Sequence, residues 1–235
     1  MVEKIKQELQ SYAEPEKAEF LPRFFKAVEG DYGEGDRFIG VRVPWQRKVA
    51  RKYYMSASME DIAALLHDEV HEYRSVALIM LVYKYQKAAS APEREGIVRF
   101  YLDNLDYVNN WDLVDLSADK ILGAHLFTKE RTTLYDLVSS GHLWRQRTAI
   151  IATFYFIRQG DFGDTLAIAQ LLLNHQHHLI HKAVGWMLRE VGKRDLELEL
   201  KFLKEHYRSM PRTMLRYAIE AFEPDLRQQV LQGLV

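Results

Sequence analysis

The chain has 235 residues, with 32 lysines and arginines against 33 aspartates and glutamates, 48% hydrophobic residues and no cysteine. Such a length suffices for one large core or two small ones. The 28% charged share beside that hydrophobic content excludes disordered, collagen-like and low-complexity classes. Lack of cysteine removes disulfides, thiolate metal sites and a cysteine nucleophile.

The opening MVEKIKQELQ is charged and amphipathic, without the apolar stretch of a signal peptide, and no run approaches the roughly 18 apolar residues of a membrane span. A cytoplasmic protein with no membrane attachment is expected. The segment EGDYGEGDRFIGVRVP at 29–44 reads as a loop between helices, and Trp45, just after Pro44, starts the next helix. From there helical periodicity dominates. In 71–87, apolar Val76, Leu78, Ile79, Val82 and Tyr83 recur at spacings of three and four, which predicts one buried helix face. Similar patterns predict helices over 58–66, 94–105, 110–122, 143–158, 163–173, 178–191, 196–207 and 212–222, with breaks at Ser90-Ala91-Pro92, Ser139-Ser140-Gly141, Gln159-Gly160-Asp161 and Met210-Pro211. No alternating β pattern of useful length occurs, so the fold class is all-α.

The helices are also alike. YRSVALIML, WRQRTAIIATF, HKAVGWMLRE and RTMLRYAIEAF carry a basic residue ahead of a small and apolar run, and Arg74, Arg147, Lys182 and Arg212 lie 73, 35 and 30 residues apart. The first interval is about two units, and NNWDLVDLSADKIL at 109–122 falls where the intervening member belongs. A period near 35 residues is close to those of helical-repeat arrays, whose helix pairs stack because none closes a core alone. The expectation is an α-α superhelix with a concave face. It forms a single domain over 1–235, with irregular N-terminal helices and loop over 1–54 and repeats over 55–235.

The near-zero net charge hides segregation. Arg37, Arg42, Arg47, Lys48, Arg51 and Lys52 fall in sixteen residues without an acid; 55–139 carries a net −6, and 140–194 a net +4 with five histidines. Solvated helix faces explain such blocks, and so does a groove with positive walls around a functional carboxylate.

Within the acidic block, Asn109 or Asn110 is placed to cap a helix opening at Trp111-Asp112, and Trp111 and Asp115, four apart, share a face. Arg147 follows Trp111 by 36 residues and Trp186 follows Arg147 by 39, so all three hold equivalent phase in the repeat. A dipole-complementing acid beside a core aromatic is the plain explanation of Trp111 and Asp115 taken alone.

NWDLVD at 110–115, WRQRTAII at 144–151 and KAVGWMLRE at 182–190, in this order and spacing, together with FIGVRVPWQRK at 38–48, resemble the AlkD-type DNA alkylation repair proteins. These are bacterial alkylpurine DNA glycosylases built of HEAT-like repeats. The resemblance implies a concave face that binds double-stranded DNA. It also implies hydrolysis of the N-glycosidic bond of cationic 3-methyladenine and 7-methylguanine without turning the base into a pocket, and a site formed by Trp111, Asp115, Arg147 and Trp186. Asp115 would stabilise positive charge developing on the sugar, the two indoles would contact deoxyribose and the cation, and Arg147 would hold a phosphate. Arg42, Arg47, Lys48, Arg51, Lys52, Arg145, Lys182, Arg189 and Lys193 are the candidate backbone contacts, with Arg189 a candidate for pairing to neighbouring acids instead. No cofactor, metal or obligatory protein partner is implied, and a monomer is expected. Two positions depart from the family pattern: Asn110 replaces a second Trp, and Phe24 stands where a DNA-contacting Tyr is found.

Other signals are weaker. His175, His177, His178 and His181 suggest zinc, but no third-ligand pattern accompanies the pair His177/His181, and a polar turn is preferred. His67-Asp68-Glu69-Val70-His71 misplaces the glutamate of the zinc-protease motif. The alternative from another class is a non-catalytic helical-repeat module binding DNA structures or a protein partner.

Overall fold

The computed structural model describes residues 1–234. It is an all-α helical-repeat protein; the sole strand-like pairing among the described residues is an isolated bridge between Arg37 and Val70. No helix is long and apolar enough to cross a membrane. Contacts group the chain into two compact units, Met1–Ser117 and Ala118–Val235.

In the first unit, α1 (Val2–Gln10) and α2 (Pro15–Phe24) lead through a long loop to α3 (Val43–Tyr53), followed by α4 (Met59–Leu66), α5 (His71–Lys87), α6 (Ala91–Asp103) and α7 (Trp111–Ala118). Ser58 opens α4 with a capping box shared with Asp61, and Ser90 caps α6 ahead of Pro92. α3, α4 and α6 all pack on α5. The periodicity of 71–87 predicts one buried face, yet every residue from His71 to Val82 is buried, including the polar His71, Glu72, Arg74 and Ser75. α5 is the unit's central post, so its polar residues must find partners inside the protein.

The loop before α3 is fitted rather than slack. Gly40 has a φ of +81°, and a Cβ there would stand 2.1 Å from the Glu14 carbonyl oxygen, so only glycine lets this loop close under α2. Glu72 of α5 secures the same stretch by accepting from the backbone N–H groups of Ile39, Gly40 and Val41, the Gly40 bond being 2.8 Å.

The second unit begins with a π-helical turn at Asp119–Gly123 and the short α8 (Ala124–Leu126), where the pattern at 110–122 predicts an uninterrupted helix. Gly123 admits the Ala152 carbonyl to 2.1 Å of where a Cβ would be, and buried Asp119 pairs with Arg158 at 2.7 Å and Lys120 at 3.0 Å. There follow α9 (Thr132–Ser139), α10 (Leu143–Ala152), α11 (Phe154–Arg158), α12 (Gly163–Leu171), α13 (His178–Gly192), α14 (Leu196–His206), α15 (Arg212–Ala218) and α16 (Pro224–Gln232). α13 is the post here, packing on α10, α14 and α15. At its C-terminal end Gly192 makes room for Glu199 of α14, a fully buried carboxyl whose two oxygens meet no donor among the described residues.

Burial pushes the Glu199 carboxyl up to about 9, only partly countered by the charge of Arg189, so the folded protein keeps it neutral at pH 7. An unfolded glutamate releases its proton near its ordinary value of 4.5, so between that pH and about 9 the unfolded chain binds fewer protons and stability falls as pH rises. Glu199→Gln is therefore expected to match wild type at pH 4.5 to 5 and to exceed it by on the order of 3 kcal/mol at pH 8. Denaturant unfolding of both proteins across this range checks the sign and the window; a wild-type stability that rises from pH 5 to 8 relative to the variant overturns it.

Candidate nucleic-acid interface and active site

In the first unit, α7 starts at a buried Asn110. Its side-chain oxygen accepts from the Trp111 N–H at 2.8 Å, its carbonyl accepts from Val114 N–H, and its amide donates toward Asp36 at 3.3 Å. Next to it, His71 at the start of α5 is clasped on both ring nitrogens. Nδ1 lies 3.0 Å from Asp36 Oδ2 and Nε2 lies 2.8 Å from Asp112 Oδ2, the second residue of α7. Burial alone would lower the imidazole, but the Asp112 carboxylate and hydrogen bonds to Asp112 and Asp36 push it up to about 9, so it is a buried cation at pH 7. Asp36 is also buried; its burial is outweighed by His71 and the Arg74 guanidinium, which hold its carboxyl below the usual range. Arg74 completes the cluster with a 2.6 Å bond to Asn109. Thus the first turn of α7 is tied down on three sides.

Trp111 and Asp115, one turn apart on that helix, are both half-buried. The Trp111 indole stacks on Phe25 at 5.4 Å and meets Phe24 edge-on at 5.9 Å, so it packs without being sealed in the core.

The basic face of the same unit belongs to α3. Pro44, Arg47, Lys48, Arg51 and Lys52 line a shallow trough of about 410 Å³. Its members are not equivalent. Arg42, on the loop just before, is held bidentately by Glu14 at 2.6 and 2.8 Å, Lys52 by Glu8 at 2.6 Å, and Lys48 lies over the stacked rings of Trp45 and Tyr12. Arg47 and Arg51 are exposed and meet no acid among the described residues.

In the second unit, Arg147 of α10 is 4% exposed, and its Nη1 donates at 2.6 Å to the Leu179 carbonyl at the start of α13. A guanidinium so placed is a brace between successive repeats. Trp186 of α13 is half-buried, 5.6 Å from Phe154. The preceding Gly185 lets α13 approach α15, since a Cβ would stand 2.4 Å from the Met214 carbonyl oxygen. Arg145 is half-buried, as is Lys182, which sits over the Tyr217 ring. Arg189 pairs with Glu220, and Lys193 with Glu190 at 2.7 Å. The histidine tract is a hydrogen-bonded turn: His177 caps Leu179, His175 bonds Gln146, and burial lowers both rings so that they are neutral at pH 7.

The comparisons with known proteins agree with this architecture. The family described as DNA alkylation repair enzyme matches residues 5–222. The chain belongs to that family. A solved structure, a predicted DNA alkylation repair enzyme from Enterococcus faecalis, is similar with a TM-score of 0.68 at 16% identity, over 90% of this chain and 97% of that one, a likeness of fold. No curated protein matches.

In this DNA alkylation repair family member, the residues that sequence reasoning missed are Asp36 and His71, whose clasp aims α7. The signal was faint: the histidine and its two acids are 35 and 41 residues apart, one acid lying in a loop.

Two predictions follow from the contrast between free and engaged cations. Arg47→Ala and Arg51→Ala are each expected to lower the slope of log K for duplex DNA against log salt by about 0.9, the share of one phosphate contact, while Arg42→Ala changes it less because Glu14 already screens that charge; binding titrations at several salt concentrations measure this. Arg147→Ala, by stripping a buried brace, should cost the fold about 3 kcal/mol in denaturant unfolding; a loss near zero would mean that Arg147 carries no structural load.

Proposed function

We propose that the protein is a DNA glycosylase that hydrolyses the N-glycosidic bond of cationic alkylated purines, 3-methyladenine and 7-methylguanine, in double-stranded DNA. Family membership supplies the coarse role in alkylation repair, and Trp111 and Asp115, half-buried one turn apart on a helix whose start is held by Asn110 and His71, are the observation that supports the finer one.

A purine alkylated at N3 or N7 already bears positive charge. As its bond to C1′ breaks, the electron pair passes to the ring nitrogen, the base leaves neutral, and the charge moves to the sugar. A water oxygen then bonds to C1′ and gives up its proton. The Asp115 carboxylate stabilises the sugar cation and takes or relays that proton. The Trp111 indole offers a π face to the same charge, worth roughly 0.5 to 2 kcal/mol according to desolvation, and Trp186 is the second indole that the family resemblance implies.

Backbone grip falls to the α3 trough, with Arg145, Lys182, Arg189 and Lys193 as further contacts. In this reading Arg147 acts by fixing α10 against α13, and any phosphate contact from it, as the resemblance implies, is secondary to the brace. The resemblance also implies a base that stays stacked; the carboxylate's work at the sugar is the same with the base stacked or turned out. A monomer acting without cofactor in the cytoplasm completes the proposal.

The burial of Arg147 favours a second reading, a non-catalytic module that grips DNA through α3. Release of base from duplex DNA carrying 7-methylguanine separates the two. Asp115→Asn is expected to slow release by about 10² to 10³ while leaving duplex binding within about twofold. Equal rates for the two proteins remove Asp115 from the mechanism, and tight salt-sensitive binding with no release by wild type establishes the module.

A further inference from the structure

Among α1 to α7, α2 alone has no buried residue, and Phe20 and Phe24, one turn apart on it, are 60% and 51% exposed. Where the other helices border a core, the inner side of α2 borders a cavity of about 560 Å³. Leu21 and Phe24 of α2, Phe25, Phe38, Val43 and, at the start of α7, Trp111 form its apolar walls.

Rings set the character of those walls. Phe38 stacks on Phe25 at 5.3 Å, Phe25 stacks on Trp111 at 5.4 Å, and Phe24 stands edge-on to Phe25. The polar groups beneath them are engaged. Glu72 accepts from three backbone N–H groups, His71 is bonded on both nitrogens, and Gln46 donates to the Val41 carbonyl while accepting from Ser75, each at 2.7 Å. Asp112 gives Oδ2 to His71, and its Oδ1 lies beneath the surface. A sugar or nucleobase placed here would bury donors and acceptors against rings, a cost that an apolar side chain avoids. An aromatic side chain would find neighbours for edge-on and offset packing.

Charge lies at one end. Pro44 lines both the cavity and the α3 trough, where Arg47 and Arg51 are exposed and meet no acid among the described residues, and α3 has no acid in its first turn. A chain leaving the cavity across Pro44 therefore runs onto guanidinium groups beside a helix N-terminus, both of which favour carboxylates. We infer that the cavity and the trough together form a docking surface for an exposed acidic segment of another protein, whose aromatic side chain enters between α2 and Trp111 while its carboxylates lie along Arg47 and Arg51. The partner is defined by two chemistries at once, an aromatic anchor and flanking acids. Because the same arginines are the proposed phosphate contacts, the segment and duplex DNA exclude one another, and the partner holds the protein only while it is off DNA. The inference uses this surface and not the chemistry proposed for Asp115.

The probe is a fluorescein-labelled, end-blocked peptide, Glu-Asp-Glu-Phe-Asp-Glu-Asp, its anchor central so that either chain direction reaches the arginines, followed by fluorescence polarisation with the whole protein at low salt. Saturable binding is expected, weakened at least about tenfold when the peptide's Phe becomes Ala, and by a similar factor when its acids become Ser and Gln. Leu21→Trp, which fills the cavity without touching α3, is expected to weaken peptide binding at least about tenfold and to leave duplex binding within about twofold; circular dichroism checks that the variant is folded. Excess duplex DNA is expected to displace the peptide. Absence of binding overturns the docking surface, as does binding that ignores the Phe or survives Leu21→Trp, which is charge attraction alone. Equal weakening of peptide and duplex by Leu21→Trp assigns the cavity to DNA and overturns the inference. A concentration-dependent dimer in sedimentation that Leu21→Trp abolishes, with no peptide bound, assigns it to a second copy and does the same. Base release plays no part in these readouts, so failure of the glycosylase reading leaves them standing.

Discussion

Within each unit the fold depends on a buried guanidinium that reaches from one repeat to the helix start of the next. Arg74 of α5 bonds the Asn109 side chain just before α7, and Arg147 of α10 bonds the Leu179 carbonyl at the head of α13, both at 2.6 Å and over separations of 35 and 32 residues. A planar cation with several fixed donors, always charged, can hold an acceptor there, the Asn109 side-chain oxygen or the Leu179 carbonyl, across a gap that a lysine's single amine would span less rigidly. Burying a charge is costly unless such partners exist, so each repeat holds its arginine only while its neighbour is in register. The period of about one repeat between donor and acceptor is thus a structural rule of this chain.

That rule explains how the sequence could be read well for fold and less well for function. Amphipathic helices such as α10 and α13 announce themselves by periodicity, because one face is apolar and the other wet. The recurrence of a basic residue at Arg74, Arg147, Lys182 and Arg212 was visible too, but sequence alone gives a cation no address. Arg74 and Arg147 point inward, whereas Arg212 is exposed. The phase that places Arg147 with Trp111 and Trp186 in the repeat is the phase of a brace as much as of a binding wall. Helices α9 and α16 lie outside the periodic segments, and the π-helical turn at Asp119–Gly123 escaped the reading because it keeps the same apolar spacing over so few residues.

The cluster around His71 could not have been foreseen. It joins a loop acid, Asp36, to the first turns of α5 and α7, and each member has an innocuous local explanation. Asp112 is a dipole-complementing acid at a helix start, and His71 belongs to a failed metal motif. Only tertiary proximity turns them into a charged clasp. The aromatic rings seal it: Phe25 and Phe38 lie 4.6 and 5.0 Å from the imidazole, covering a cation with π faces on the side where water would otherwise enter.

The same rings therefore have two surfaces at work. Inward, Phe25 and Phe38 shield the clasp that holds the start of α7; outward, with Phe24 and Trp111, they edge a cavity between α2, the loop before α3 and α7. A wall built on a buried ion cluster cannot slide as an aliphatic wall can, because any shift of Phe25 uncovers His71 and loosens Asp112. Rigidity of this kind is what a site needs when its chemistry is chiefly electrostatic, since a carboxylate helps a developing charge only if it is already in place before the charge appears. The long loop before α3, closed by Gly40 and held by Glu72, belongs to that arrangement: it delivers Asp36 to the clasp at one end and the basic helix at the other, so that the place of α3 and the start of α7 are set by one continuous stretch of chain.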